Sequence, residues 1–305
     1  MAKPAFRRGL TVEFVNRLNE MYQVGGWWRN MVEDKDFLIA IRDNYINIYF
    51  QGCSVLKLSW SLRKKEIIRE IHYKYLLKPS IEDSPYIGFG KAGPNLPPDL
   101  RSIFLDGLDD VGELKRAVMP YADAEKKGVH DIVVSGKNPN VLDLEIAISE
   151  GKSAPRIDLA EVQEYTGPSR MVKLVFYEAK HFKNKELRSS TDQVPVVRQI
   201  IRYSKLIAKN RDSLLTSYQQ VCRNLTKLEG VGQQNSERHA ILRDIATGYK
   251  QLQIDDQPRL IAFGFDKDQR DGANWKPHEE KLRNALGRNR ALFAGKAGNI
   301  RLGQR

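Results

Sequence analysis

The sequence predicts a mixed α/β (α+β) protein. Three observations carry this. Residues 141–182 hold three consecutive strand-like runs, VLDLEIAI, RIDLAEVQEY and MVKLVFYEAKHF. Apolar residues at helical spacing flank them on both sides. A separate group of short β-branched and aromatic runs lies near the N-terminus, between Asp36 and Trp60. The chain has 305 residues, of which 41% are hydrophobic and 29% charged. That balance excludes a wholly disordered chain and suits one large domain or two medium ones.

The elements follow in order. Leu10, Phe14, Leu18 and Met21 recur at helical spacing, which predicts a helix over residues 8–23. DFLIAI, NYINIYF and SVLKLSW predict a β-meander, broken at RDN and QGC. SLRKKEIIREIHYKYLL, residues 61–77, reads as an amphipathic helix with basic and aromatic residues intermingled. Residues 79–98 are rich in proline and glycine and form the candidate linker. They divide an N-terminal α+β region (1–98), with a binding or regulatory role, from a larger region (99–305). Residues 107–127 predict a helix that Pro120 kinks or ends. After the three strands comes a helix over 193–209, with Pro195 in its first turn, where proline is tolerated. Two amphipathic helices follow, one through Leu214, Leu215, Tyr218, Cys222 and Leu225, the other through Ile241, Leu242, Ile245 and Tyr249. RLIAFGF, 259–265, suits a buried strand, and a last helix covers 277–287.

Charge narrows the function. Fifty Lys and Arg against 38 Asp and Glu give a net charge of +12, a surface that attracts polyanions. The segment from Lys281 to Arg305 carries seven basic residues and no acid, and reads as a solubilising end or a phosphate-binding arm. Two cysteines, Cys53 and Cys222, exclude CxxC knuckles and a four-cysteine cluster. No run of about 18 apolar residues exists, and MAKPAFRRGLTVEF lacks the apolar stretch of a secretory signal. A cytoplasmic protein with no membrane partner is expected. A P-loop, a GxGxxG fingerprint and His spacings for zinc are absent.

The chemistry concentrates between Arg156 and Tyr203. RIDLAEVQEY and MVKLVFYEAK are joined by the turn-forming TGPSR. A hairpin centred on Pro168 sets Asp158 opposite Glu178, with Cβ atoms about 5 Å apart. Lys180 shares a face with Glu178 because side chains alternate along a strand. Two carboxylates that close repel, and one pKa rises unless a cation sits between them. A hard divalent ion resolves this, and Mg²⁺ typically takes one or two carboxylates plus water and phosphate oxygens. The pattern fits phosphodiester hydrolysis.

Asp158, then Glu178-Ala179-Lys180, resembles the motif of the PD-(D/E)XK nuclease superfamily. Gln199-Ile-Ile-Arg-Tyr203 on the next helix is similar to the QxxxY motif of its RecB-like branch. The resemblance implies a restriction-endonuclease-like αβββαβ core. It implies a catalytic set of Asp158, Glu178, Lys180, Gln199 and Tyr203. It implies Mg²⁺ or Mn²⁺ held by Asp158, Glu178 and the Ala179 backbone carbonyl. A further acid is expected from Glu145, Glu113 or Glu125, with Glu145 preferred. Alternation places Asp143 and Glu145 on one face of their strand and Leu142, Leu144, Ile146 and Ile148 on the other. Two departures stand out: Ile157 occupies the proline position of the motif, and the hairpin is longer than in compact members.

Lys183, Lys185, Arg188, Arg198 and Arg202 surround the motif, candidates for phosphate-backbone contact. The expected function is a metal-dependent nuclease acting on nucleic acid, DNA favoured over RNA. A homodimer or a partner protein, and a place in phage defence or mobile-element biology, are further expectations of the resemblance. The alternative is a non-catalytic nucleic-acid-binding or interaction module on a nuclease-like fold.

Overall fold

The computed structural model describes residues 6–75, 89–90, 93–94, 108, 110–150, 153–165, 169–231 and 236–303. Most of the expected linker at 79–98, and the TGP of the hairpin turn at 166–168, lie outside the described residues.

The N-terminal part holds α1 (Val12–Val24), α2 (Trp27–Glu33) and an antiparallel sheet of β1 (Leu38–Ile41), β2 (Tyr45–Phe50), β3 (Cys53–Ser61) and β4 (Glu66–Ile71), in that order. Thr11 caps α1 by accepting from the Phe14 N–H, and Phe14, Val15 and Leu18 are its buried face. The helix expected over 61–77 is corrected over its described residues, 61–75, to the end of β3, a turn, a strand and a 3-10 turn; residues 76–77 lie outside the described residues. β4 pairs with β3 from Leu56↔Ile71 to Ser61↔Glu66. The isoleucines that suggested a helical stripe are β-branched, and Ile67 and Ile71 pack onto the core from the strand instead. Satisfying the open edge of β3 outweighed a helix with only a weak apolar stripe.

The chain then forms a two-residue pair, β5 (Phe89–Gly90) and β6 (Gly93–Pro94), followed by α3 (Val111–Val118) and α4 (Ala124–Val134). Pro120 sits in the 3-10 turn that ends the first helix, and Asp123 caps the second by accepting from the Lys126 N–H. The single helix expected over 107–127 is thus two.

The larger sheet runs β12-β11-β9-β8-β7, built from β7 (Val141–Ala147), β8 (Arg156–Glu164), β9 (Met171–His181), β11 (Arg259–Phe263) and β12 (Ala291–Phe293). β7, β8 and β9 are antiparallel, while β11 runs parallel to the C-terminal half of β9. β10 (Gln251–Ile254) pairs parallel with its N-terminal half. The motif helix α5 (Pro195–Lys209), then α6 (Arg211–Lys227) and α7 (Ser236–Thr247), follow the three strands. α8 (Lys267–Asp271) and α9 (Lys276–Leu286) separate β11 from β12. This is a mixed α+β fold.

The basic C-terminal segment is not a loose arm up to residue 303. It contributes β12, and Ile300 and Leu302 are buried. Lys281 donates to the Ser189 and Thr191 carbonyls, and Arg283 pairs with Glu279. The two halves of the chain share one apolar core: Phe14, Leu18, Ile46, Ile48 and Leu58 cluster with Ile146, Phe176, Tyr203 and Tyr218.

Candidate active site

The antiparallel ladder between β8 and β9 runs from Glu164↔Val172 to Leu159↔Tyr177 and stops there. One more step in this register sets Asp158 opposite Glu178. At that point the strands part. The Asp158 carboxylate (Oδ2) accepts the Ala179 N–H at 2.7 Å, standing in for a ladder carbonyl. Beyond it, Ala179, Lys180 and His181 pair with Ile261, Ala262 and Phe263 of β11. The opening between two diverging strands is where the motif lies.

Glu178 is 2% exposed. Its Oε1 accepts from Lys180 Nζ at 2.8 Å and from Gln199 Nε2 at 2.8 Å. Its Oε2 is buried and has no hydrogen-bond partner. An orphaned carboxylate oxygen is costly unless something else fills the place. Burial raises the pKa of Glu178, against the pull of the Lys180 ammonium. Asp158 is raised well above the ordinary range, first by burial and then by the Glu178 charge, with Glu145 adding to it. The pair is under-neutralised despite the lysine.

Lys180 is held from two sides. Its Nζ lies 2.8 Å from Glu178 and 3.0 Å from Oε2 of Glu186, which stands on a 3-10 turn at Lys185–Leu187. Burial pulls its pKa down, but Glu178 and Glu186 more than offset this, and the net shift is upward. Lys180 is therefore a fixed cation, suited to orienting a water or a phosphate oxygen rather than to removing a proton.

Gln199 and Tyr203 sit one turn apart on α5, on the face that meets the sheet. Gln199 Nε2 donates to Glu178 and also, at 2.7 Å, to the Tyr203 hydroxyl. The Tyr203 hydroxyl donates to the Arg156 carbonyl at the start of β8. Tyr203 is 2% exposed. Both are thus positioning residues: they tie Glu178 to the strand that carries Asp158.

Of the three competing acids, two arrive. Glu145 falls opposite Asp158 when the β7–β8 register, Leu144↔Leu159 and Ile146↔Ile157, is read through. Glu145, Asp158 and Glu178 then form a row across three strands. Glu145 has φ +48°, the left-handed region, inside a strand. That turn breaks the expected alternation. Leu144 packs in one cluster and Ile146 in another, and Asp143 is buried rather than on a free face with Glu145. Glu125, on the first turn of α4, accepts from the His181 N–H and from Asn184 Nδ2. Glu125 and Glu145 line, with Asp158 and Ala179, a cavity of about 170 Å³. Glu113 caps no part of it; it stands on the first turn of α3. Among the described residues no group of three or more His, Cys, Asp and Glu side chains converges as a preformed metal cage.

The basic candidates divide. Lys183, Lys185 and Arg198 are exposed and pair with no acid among the described residues. Arg202 is bound to Glu150 and Ser153. Arg188 stacks on Phe182 and Trp275 and donates to the Phe182 carbonyl, which makes it a packing residue. Sequence reasoning missed Glu186, which no motif signals, because its turn is brought back over Lys180 only in the fold.

No helix among the described residues is long and apolar enough to cross a membrane. No protein-family model, curated protein or solved structure matches the chain.

Proposed function

We propose that the chain is a metal-dependent phosphodiesterase of the PD-(D/E)XK type, acting on nucleic acid, with DNA favoured. The observation that carries this reading is the orphaned Oε2 of buried Glu178 beside a second, half-buried carboxylate of raised pKa, Asp158. Two under-neutralised acids with a free oxygen are a donor set for a hard divalent cation. Asp158 and Glu178 would hold Mg²⁺ or Mn²⁺, with Glu145 and, by the resemblance, the Ala179 carbonyl completing the set. Such an ion, when bound, neutralises the pair and polarises a phosphodiester.

The remaining work falls to the chain itself. Lys180, kept protonated by Glu178 and Glu186, donates to the attacking water and offsets charge that builds at phosphorus. Gln199 and Tyr203 hold Glu178 in one rotamer, so the free oxygen has a fixed place. Lys183, Lys185 and Arg198 offer contacts to flanking phosphates.

The test is cleavage of supercoiled plasmid, linear duplex and single-stranded DNA with Mg²⁺, Mn²⁺ or EDTA. Wild type cuts with metal only. Lys180→Ala loses cutting, by roughly 10²–10⁴-fold for one charged group lost from a developing anion, while keeping most metal affinity. Asp158→Ala loses both. Equal cutting by Lys180→Ala and wild type would remove the assignment.

One observation favours a second reading, a nucleic-acid-binding module without turnover. Lys180 already supplies a counter-charge to Glu178, as it would in a site that needs no metal. Calorimetry with Mn²⁺ separates the two, since the module binds none through Asp158.

A further inference from the structure

The N-terminal sheet has two faces. On β2, Ile46, Ile48 and Phe50 enter the core, so Tyr45, Asn47 and Tyr49 turn the other way. That second face meets the end of the larger sheet where Glu145 and Arg156 stand. Gly52, at φ +70° in the β2–β3 turn, makes the approach possible. A Cβ there would lie 2.6 Å from the Lys126 Cβ and 2.7 Å from its carbonyl oxygen. The turn therefore rests on the backbone of α4, the helix that carries Glu125. Between the two sheets lies a cleft of about 360 Å³, lined by Arg8, Arg42, Tyr45, Tyr49, Lys126 and Arg156 among others. It adjoins the cavity at Asp158, sharing Tyr49, Gly52, Lys126 and Glu145 with it.

Its lining is cationic and aromatic. Four basic side chains stand against one carboxylate, Glu145. Arg8 and Arg42 share the buried Asp143 behind them, whereas Arg156 and Lys126 are solvent-exposed and only loosely paired, with Glu145 at 3.6 Å and Asp123 at 3.3 Å, contacts weak enough for a phosphate to displace. Tyr45 is half-buried, with the Lys57 ammonium 5.3 Å from its ring centre. Cations that track phosphates beside aromatic rings that take bases are the recurring means of binding a single strand. The cleft's 360 Å³ suits a ligand of nucleotide dimensions, and a base can stack on the Tyr45 ring only when it is not already paired and stacked in a duplex.

We propose that this face of the N-terminal sheet is the second wall of the substrate cleft, and that it takes a single-stranded segment next to the phosphodiester at Asp158 and Glu178. The proposal rests on the nuclease reading for its second half, the neighbouring scissile phosphate. The single-strand subsite stands on the cleft alone. The N-terminal region, on this view, selects unpaired ends, flaps or gaps.

The test is fluorescence anisotropy in EDTA with fluorescein-labelled dT12 and a 12-base-pair blunt duplex, alongside cleavage of the same oligonucleotides in Mg²⁺. The full chain is used. dT12 binds tighter than the duplex. Tyr45→Leu, which keeps apolar bulk and removes the stacking face, weakens dT12 binding roughly tenfold. Lys126→Gln lowers the salt dependence of dT12 binding by about 0.7 in log–log slope, as one lost phosphate contact should. Duplex preference, or unchanged dT12 affinity in Tyr45→Leu, overturns the proposal. The two readings fail separately. If wild type cleaves dT12 and Tyr45→Leu changes neither KM nor affinity, the subsite falls and the nuclease stands. If nothing cleaves but Tyr45→Leu still loses dT12, the nuclease falls and the subsite stands.

Discussion

Two acid clusters, each with a buried carboxylate, lie close together on the larger sheet, and they have opposite characters. Asp143 on β7 is 2% exposed. It pairs with Arg42 and with Arg8 Nε at 3.2 Å, and accepts from the Tyr218 hydroxyl at 3.0 Å and the Leu144 N–H at 2.8 Å. Burial raises its pKa, but the two guanidinium groups prevail and the net shift is downward. Asp158 and Glu178 have one lysine between them, a carboxylate oxygen without a partner, and pKa values shifted upward. The first cluster is complete and joins the N-terminal arm, the first sheet, β7 and α6. The second is incomplete within the chain. Asp143 and Glu178 are equally buried, and their contrary charge balance separates a fully compensated acid from one with an oxygen left over.

The sharpest way to break that comparison is the same substitution in both places. Asp143→Asn leaves Arg8 and Arg42 buried without a counter-charge, and breaking a buried pair costs about 3–5 kcal/mol. Asp158→Asn keeps an oxygen for the Ala179 N–H and removes a like charge beside Glu178. It should raise stability, by roughly 0.5–2 kcal/mol, as substitutions that relieve functional sites commonly do, while abolishing metal binding. Urea unfolding at pH 8 without metal reads both. Destabilisation by both variants would show that the two clusters serve one structural purpose.

A pH series sharpens the contrast. Asp158 and Glu178 have native pKa values above their unfolded ones. The native state holds more protons than the unfolded state across that window, so stability falls as pH rises through it. Metal binding requires the deprotonated pair, so stabilisation by Mn²⁺ grows as pH rises through the same window. His130 is buried and pushed down to about 4, so it takes up protons only below its ordinary value and costs stability on the acid side. Melting temperatures at pH 6.5 and 8.5, with and without Mn²⁺, isolate the carboxylate effect. Wild type loses stability between those values without metal, and Asp158→Asn loses less. Equal slopes in the two proteins would place the raised pKa values elsewhere.

Much of the site was legible because it is local. The three strand-like runs, the hairpin of the second and third, and the Asp158–Glu178 register follow from strand composition and the distance to a turn. Gln199 and Tyr203 are legible for the same reason, being four residues apart on a helix. What was missed depends on long-range or backbone facts. Glu186 reaches Lys180 through a 3-10 turn. Residues 66–71 pair as an edge strand, which their composition does not distinguish from a helix. Asp143 looked like a partner of Glu145 because alternation ignores both the register shift between Val141 and Asp143 and the left-handed Glu145. Its true partners, Arg8, Arg42 and Tyr218, lie 135, 101 and 75 positions away. The core shared by both halves of the chain was equally invisible, because a proline- and glycine-rich segment reads as a boundary whether or not the flanking elements pack together.

The smallest predicted effect concerns that left-handed residue. Asn44, Gln51 and Lys65 also have positive φ, but they stand outside the strands, at or beside the turns between them, where such values are ordinary. Glu145 alone of these four has it within a strand, and a side chain there costs about 1–2 kcal/mol relative to glycine. Its side chain lines the cavity that Asp158 lines, and Arg156 at 3.6 Å on the surface is weak compensation. Glu145→Gly should therefore gain about 1 kcal/mol in urea unfolding, partly reduced by the greater freedom of an unfolded glycine. The same variant should bind Mn²⁺ more weakly and cleave more slowly. Gain of stability with loss of metal affinity is the signature of strain retained for function. A loss of stability with unchanged metal affinity would instead make the turn a packing device, and would leave Glu125 as the third acid of the site.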